Sequence, residues 1–133
     1  MKTVFADTSY YLALVNALDE YHAVAYDFTQ DYDGASVTTA WILLELANSL
    51  CRAVNRPLFV SLLWDLERDN RVLIVPPTQE LFARGLELYI GRPDKNWSLT
   101  DCISFQVMEE RALQDALTFD RHFEQAGFRM LLK

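Results

Sequence analysis

Apolar positions along the chain switch repeatedly between short continuous runs and helical spacing. Residues 3–6 read as a short buried strand, and Asp7-Thr8-Ser9 then offers helix-capping side chains ahead of the apolar stretch 10–15. Residues 19–32 carry Tyr21, Val24, Ala25 and Phe28 at helical spacing and stop near Asp33-Gly34. The run 35–39 predicts a second strand leading into a helix over 40–54, which Asn55-Arg56-Pro57 ends. An amphipathic helix over 57–70 precedes a third strand at 72–75, halted by Pro76-Pro77, and a helix over 79–89. A polar loop at 91–97 is followed by a helix to about residue 112, with Ser98 or Thr100 as its cap. A fourth strand at 116–119, a short helix at 121–126 closed by Gly127, and an edge strand at 128–132 complete the chain. Strands alternating with helices over short connections predict a three-layer α/β/α sandwich with a mostly parallel sheet of four to five strands.

Composition narrows the class. The 133 residues suit a single domain spanning 1–133, and 51% hydrophobic with 23% charged residues excludes intrinsic disorder. No apolar run approaches the ~20 residues that cross a bilayer, and Asp7 interrupts the apolar stretch near the start, so neither a membrane span nor a secretory signal is expected. The expected location is cytoplasmic. Cys51 and Cys102 stand far apart without metal-ligand spacing, and His22 and His122 are the only histidines, so a zinc site or disulfide scaffold is not expected. The net charge of −7 divides unevenly, −6 over residues 1–51 and −1 over 52–133. A broad basic coat for nucleic acid is thereby excluded, leaving a local patch from Arg52, Arg56, Arg68, Arg71, Arg84, Arg92 and Lys95.

In an open parallel sheet, ligands bind beyond the carboxyl ends of the strands. Asp7 follows the first strand, Asp120 follows the fourth, and Asp101 opens the helix after the 91–97 loop. Glu45 lies in a helix that is apolar around most of its circumference, on a narrow polar stripe with Asn48 and Arg52, facing solvent or a polar cleft. Each acid also has a structural reading. Asp7 and Asp120 could be N-caps, Asp101 could complement a helix dipole for roughly 0.3–1 kcal/mol, and Glu45 could pair with Arg52. Four carboxylates in one strand-end cleft would repel one another and be tolerated only with cations. Mg²⁺ suits such oxygen donors, and the chemistry implied is phosphodiester hydrolysis.

The chain resembles the PIN-domain ribonucleases, especially the VapC-like toxins of bacterial toxin–antitoxin pairs and related stand-alone bacterial PIN proteins. The likeness spans the whole chain. It is carried by Val4-Phe5-Ala6-Asp7-Thr8-Ser9, by Thr39 with Glu45 and Asn48, by the 94–102 segment with Ser98-Leu99-Thr100-Asp101, by Thr118-Phe119-Asp120-Arg121-His122-Phe123, and by Gly127-Phe128. The resemblance implies that Asp7, Glu45, Asp101 and Asp120 hold Mg²⁺ or Mn²⁺, with Thr8, Ser9 and Thr100 as polar neighbours. It further implies RNA cleavage leaving a 3′-hydroxyl and a 5′-phosphate, a homodimer, and an antitoxin partner whose basic side chain enters the cleft.

Smaller expectations attach to the remaining residues. Lys95 and Trp97 could hold phosphate and stack a base, although one docking aromatic in a solvated loop is the plainer reading. Arg52 could contact the RNA backbone, and Asn48 is expected to orient Glu45. His122 is expected to pack beside Phe119 and Phe123 and make a local hydrogen bond without a catalytic role, and Asp115 to sit in a solvated turn. Tyr10, Tyr11, Phe59 and Trp64 suggest an apolar interface, with core packing as the competitor. A phospho-acceptor signalling domain would need two adjacent acids after the first strand, where this chain has Ala6-Asp7. A catalytically silent RNA-binding or assembly module stays open at this level.

Overall fold

The computed structural model describes residues 2–132. The chain runs β1 (Val4–Ala6), α1 (Thr8–Val15), α2 (His22–Asp31), β2 (Ser36–Thr39), α3 (Ala40–Ser49), α4 (Arg56–Arg68) and β3 (Val72–Val75). It continues through α5 (Gln79–Gly91), α6 (Leu99–Glu110), β4 (Asp115–Leu117), α7 (His122–Gln125) and β5 (Arg129–Met130). The five strands pair in the order β3-β2-β1-β4-β5, and every pairing is parallel. Helices cover the sheet, giving the expected α/β sandwich with a sheet that is wholly rather than mostly parallel. No helix among the described residues is long and apolar enough to cross a membrane.

This strand order fixes where a ligand can bind. From β1 the chain steps outward to β2 and β3, then returns to lay β4 and β5 on the other side of β1. The carboxyl ends of β1 and β4 therefore flank the point where the winding reverses, and the crossovers leave a crevice there. All three residues of β1 and of β4 are buried. Thr38 on β2 secures the neighbouring strand by donating its hydroxyl to the Ala6 carbonyl at 3.0 Å.

Local chemistry sets the helix ends near this crevice. The side chain of Ser98 accepts from the Asp101 N–H at 3.0 Å, and Asp101 Oδ2 accepts from the Ser98 N–H at 3.1 Å, closing a capping box on α6. Ser98, not Thr100, is thus the cap. At its other end, the N–H of Leu113 reaches the Met108 carbonyl at 2.8 Å and that of Ala112 reaches Glu109 at 3.1 Å. That closure places Ala112 in the left-handed region, with φ 55°. Gly127 (φ 95°) closes α7 in the same way, the Phe128 N–H donating to the Phe123 carbonyl at 3.0 Å. Gly85 lets α5 and α6 approach, since a Cβ there would stand 2.3 Å from Ile103 Cγ1. Under α6 and α7, Phe105 meets Phe123 edge-on at 5.0 Å and Trp97 at 5.1 Å.

Several expectations are corrected here. Helix α3 stops at Ser49, with Leu50 as its C-cap, so the helix expected to residue 54 ends well short of Arg52. Helix α5 runs on through Gly91, β4 ends at Leu117, and β5 is confined to Arg129–Met130. Tyr10 and Tyr11 are buried in the core rather than presented at an interface, whereas Trp64 on α4 is exposed. Asp115 is buried, not solvated: Arg129 on the paired strand β5 donates Nε to one of its oxygens at 2.8 Å and Nη2 to the other at 2.9 Å. The expected basic patch is partly neutralised, with Arg71, Arg84 and Arg92 paired to Asp69, Glu110 and Asp94.

Candidate active site

Asp7 is held from both sides. Its N–H extends the β1–β4 ladder by donating to the Leu117 carbonyl at 3.1 Å, and its carbonyl accepts the first helical bond of α1 from the Tyr11 N–H at 3.3 Å. Although Asp7 occupies the N-cap position, its side chain makes no cap bond. Oδ2 instead accepts from the hydroxyls of Thr118 (2.8 Å) and Ser9 (3.1 Å). Those hydroxyls are directed by the exit of β4: the Phe119 N–H donates to Ser9 Oγ at 2.9 Å and the Asp120 N–H donates to Thr118 Oγ1 at 3.0 Å. With each oxygen already accepting a backbone proton, each hydroxyl turns its own proton toward the carboxylate. Burial, with a smaller contribution from the charge of Asp101, pushes the Asp7 carboxyl up to about 6 against the opposing hydrogen bonds of Thr118, Thr8 and Ser9.

The other acids arrive from three directions. Glu45, on α3, accepts from the hydroxyl of Thr8 at the start of α1, which ties it to the residue next to Asp7. Asp101 sits in the first turn of α6, buried, with Oδ2 in the capping box. Its pKa is raised by burial, against hydrogen bonds from His122 and the Ser98 N–H, with Asp120 adding repulsion. Asp120, in the turn after β4, accepts the His122 N–H at 2.9 Å, a bond two residues along the chain just ahead of α7, whose N-cap is Arg121. Of the four expected acids, Asp101 and Asp120 bring ligand atoms within 4.8 Å of each other, Asp7 lies near enough for the Asp101 charge to raise it, and Glu45 is tied only to Thr8.

His122 is the residue that the sequence reading set aside. The hydrogen bond expected of its ring is made to the acids of the crevice. Nδ1 lies 2.9 Å from Asp101 Oδ2 and 3.3 Å from Asp120 Oδ1. Asp101, Asp120 and His122 offer ligand atoms all within 4.8 Å of one another. The available signal was an Asp-x-His step directly after a strand, where two side chains leave one turn. Thr118 was missed too, as a polar residue inside an apolar strand end. The donor set fits a hard divalent ion: carboxylates crowded enough to raise one another's pKa gain most from a cation.

Some expected residues lie elsewhere or do other work. Trp97 is buried, packs on Phe105 and donates Nε1 to Gln125 Oε1 at 3.1 Å, so it is the docking aromatic and has no free face for a base. Arg92 and Lys95 cover its ring, at 5.2 and 5.8 Å from the centroid. Arg52 falls outside α3 and therefore off the Glu45 stripe. Asn48 is exposed and lines a separate cavity with Leu50, Cys51, Arg56 and Phe59. Thr100 is half-buried in the first turn of α6. An open cavity beside Asp120 is instead lined by Tyr21 and Phe119, stacked at 4.3 Å, together with Arg121, Glu124, Met130 and Leu132.

This parallel sheet with acids gathered at its switch point is the arrangement of a PIN domain, and the chain belongs to that family: the PIN domain model matches residues 4–129. It is 28% identical over 125 residues to the 23S rRNA-specific endonuclease VapC20 of Mycobacterium tuberculosis, covering 94% of this chain and 95% of that protein. The crystal structure of the same organism's VapC20, described as a sarcin–ricin-loop-cleaving toxin, superposes with a TM-score of 0.87 at 27% identity, covering 98% of this chain and 99% of that one. VapBC2 from Rickettsia felis, bound to a promoter DNA fragment, shares the fold at a TM-score of 0.69 and 11% identity, covering 99% of this chain and 100% of that one. FitAcB from Neisseria gonorrhoeae does so at 0.61 and 17%, covering 96% and 95%.

Proposed function

We propose that this chain, a single domain over 1–133, is a divalent-metal-dependent endoribonuclease and the toxin of a cytoplasmic toxin–antitoxin pair. The observation that supports the reading is the close approach of Asp101 and Asp120, whose ligand atoms lie within 4.8 Å of each other, with Asp7 near enough for the Asp101 charge to raise its carboxyl and Glu45 bonded to the adjoining Thr8. Kinship to VapC20 supplies the substrate class, a structured ribosomal RNA.

In this reading Asp7, Glu45, Asp101 and Asp120 hold Mg²⁺ or Mn²⁺. Such an ion supplies Lewis acidity, activating water and neutralising charge on the phosphate and leaving oxygen. The chain's own residues prepare that chemistry. Thr118 and Ser9 hold Asp7 Oδ2 in one orientation, Thr8 fixes Glu45, and the capping box fixes Asp101. Fixed acceptors avoid the reorganisation that mobile side chains would undergo during reaction. Lys95 and Arg52 are the proposed phosphate contacts. The products carry a 3′-hydroxyl and a 5′-phosphate. The protein acts as a homodimer, and its antitoxin inserts a basic side chain among the acids.

The test is cleavage of an RNA hairpin bearing the sarcin–ricin loop of 23S rRNA, and of total RNA, with each ion. Wild type should cleave at discrete positions, stop on chelation, and lose at least ~100-fold in rate as Asp120→Asn or Asp101→Asn, with circular dichroism checking the fold. Absence of cleavage with either ion, or equal cleavage by the variants, overturns the proposal.

A further inference from the structure

Everything proposed so far for the metal uses carboxylates alone, yet an imidazole stands among them. We propose that His122 is a direct ligand of the divalent ion through Nδ1, making this a mixed carboxylate–imidazole centre that holds Mn²⁺ in preference to Mg²⁺. The inference rests on the reading of the crevice as a metal centre and specifies which metal it selects.

Geometry is the first support. Two donors each about 2.1 Å from an octahedral ion, on adjacent vertices, stand about 3.0 Å apart. His122 Nδ1 is hydrogen-bonded to Asp101 Oδ2 at 2.9 Å and lies 3.3 Å from Asp120 Oδ1, close to that separation on two edges, and a bound ion would take the place of the proton between nitrogen and carboxylate. The ligand atoms of all three residues lie within 4.8 Å of one another, so one ion can draw them together.

The second support is how firmly the ring is presented. The His122 N–H is bound to Asp120 Oδ1 at 2.9 Å, and the next residue, Phe123, is fully buried against Phe5 and Phe105. The backbone carrying His122 is thus anchored on one side by the site and on the other by the core. His22 shows the contrast: its Nδ1 is engaged by the Ala13 carbonyl at 2.8 Å, a local structural contact.

Ligand chemistry then sets the preference. Mg²⁺ favours oxygen donors and releases water reluctantly, whereas Mn²⁺, the weakest binder of the first-row series and at home among carboxylates, still accepts a nitrogen donor beside them more readily than Mg²⁺ does. An all-carboxylate site would discriminate weakly between the two ions, and one nitrogen donor shifts the balance toward Mn²⁺. The remaining oxygens, Asp101 Oδ1 and Asp120 Oδ2, are left for the ion or its waters.

Two measurements without RNA test this. Electron spin-echo modulation of the Mn²⁺-loaded wild type should show coupling to a directly bound ¹⁴N nucleus, a signal absent from His122→Asn. Calorimetric titration should show Mn²⁺ binding at least about tenfold tighter than Mg²⁺, with His122→Asn weakening Mn²⁺ about tenfold or more and Mg²⁺ far less. Manganese binding with no ¹⁴N coupling overturns the ligand assignment and leaves the metal centre standing. Equal weakening of both ions by His122→Asn overturns the claimed selectivity. Binding of neither ion to the wild type removes the metal reading itself, and this inference with it.

Discussion

Asp7 is expected to make the metal-free protein lose stability as pH rises through the range where most proteins are comfortable. Burial lifts its carboxyl from 3.8 to about 6, so the folded chain holds that proton more tightly than the unfolded chain does. The stabilisation from protonation is complete below the unfolded value and is lost as pH climbs through the folded one. At 1.36 kcal/mol per unit the whole effect is roughly 3 kcal/mol, of which roughly half falls between about pH 5 and about pH 7.5. Asp7→Asn cannot ionise and retains an amide oxygen for the Thr118 and Ser9 hydroxyls. Urea denaturation of both proteins in chelator should show wild type losing about 1–2 kcal/mol relative to the variant across that interval, or roughly 5 °C in melting temperature. Saturating Mn²⁺ at about a hundred times its Kd should restore about 2.7 kcal/mol to wild type and little to Asp7→Asn. Parallel pH profiles for the two proteins in chelator would refute the reasoning, because the only ionisation that distinguishes them is the one invoked.

Two further predictions concern the helix that presents Asp101. Gly85→Ala drives a methyl into Ile103 and should destabilise by about 1–3 kcal/mol; in a denaturation cycle with Ile103→Ala the two costs should fall short of additive by about 1 kcal/mol, and strict additivity would show that α5 and α6 do not meet as described. Ala112→Gly relieves the left-handed backbone at the end of α6 and should stabilise by about 0.5–1 kcal/mol, read as a rise of a few degrees in the thermal midpoint; an unchanged or lower midpoint contradicts it.

The sheet and the acidic positions were legible because both depend on local patterns. Val4-Phe5-Ala6 is apolar at every position, as a strand covered on both faces requires, and Asp7 follows it directly. The strand-end rule needs only that adjacency. What escaped depends on pairs distant in sequence. Asp115 looks like a turn residue until Arg129, on a strand fourteen positions later, is laid beside it. Trp97 looks available until α7 brings Gln125 to its indole N–H. The end of α3 escaped for another reason: the next Pro lies at Pro57 and no Gly intervenes, so no breaker marks Ser49.

His122 shows why burial patterns mislead at a site. Phe119 and Phe123 flank it at helical spacing, and a helix through 119–123 would turn their side chains to one face and His122 away from Asp120. The chain instead leaves β4 in a turn: the Asp120 N–H is tied back to Thr118, and Asp120 Oδ1 accepts the His122 N–H just ahead of α7. That turn decouples the two aromatics, sending Phe123 into the core while Phe119 stacks on Tyr21 at the surface cavity. The histidine is left aimed at Asp101, which the capping box of α6 holds in place from the other side. The starts of α6, capped by Ser98 with Asp101, and of α7 thus share a single charged junction. The carboxylates at those two starts are also the ones a metal would draw together, so at Asp101 the local signal for capping coincides with that for ligation, and only the parallel pairing of β1 with β4 separates the two roles.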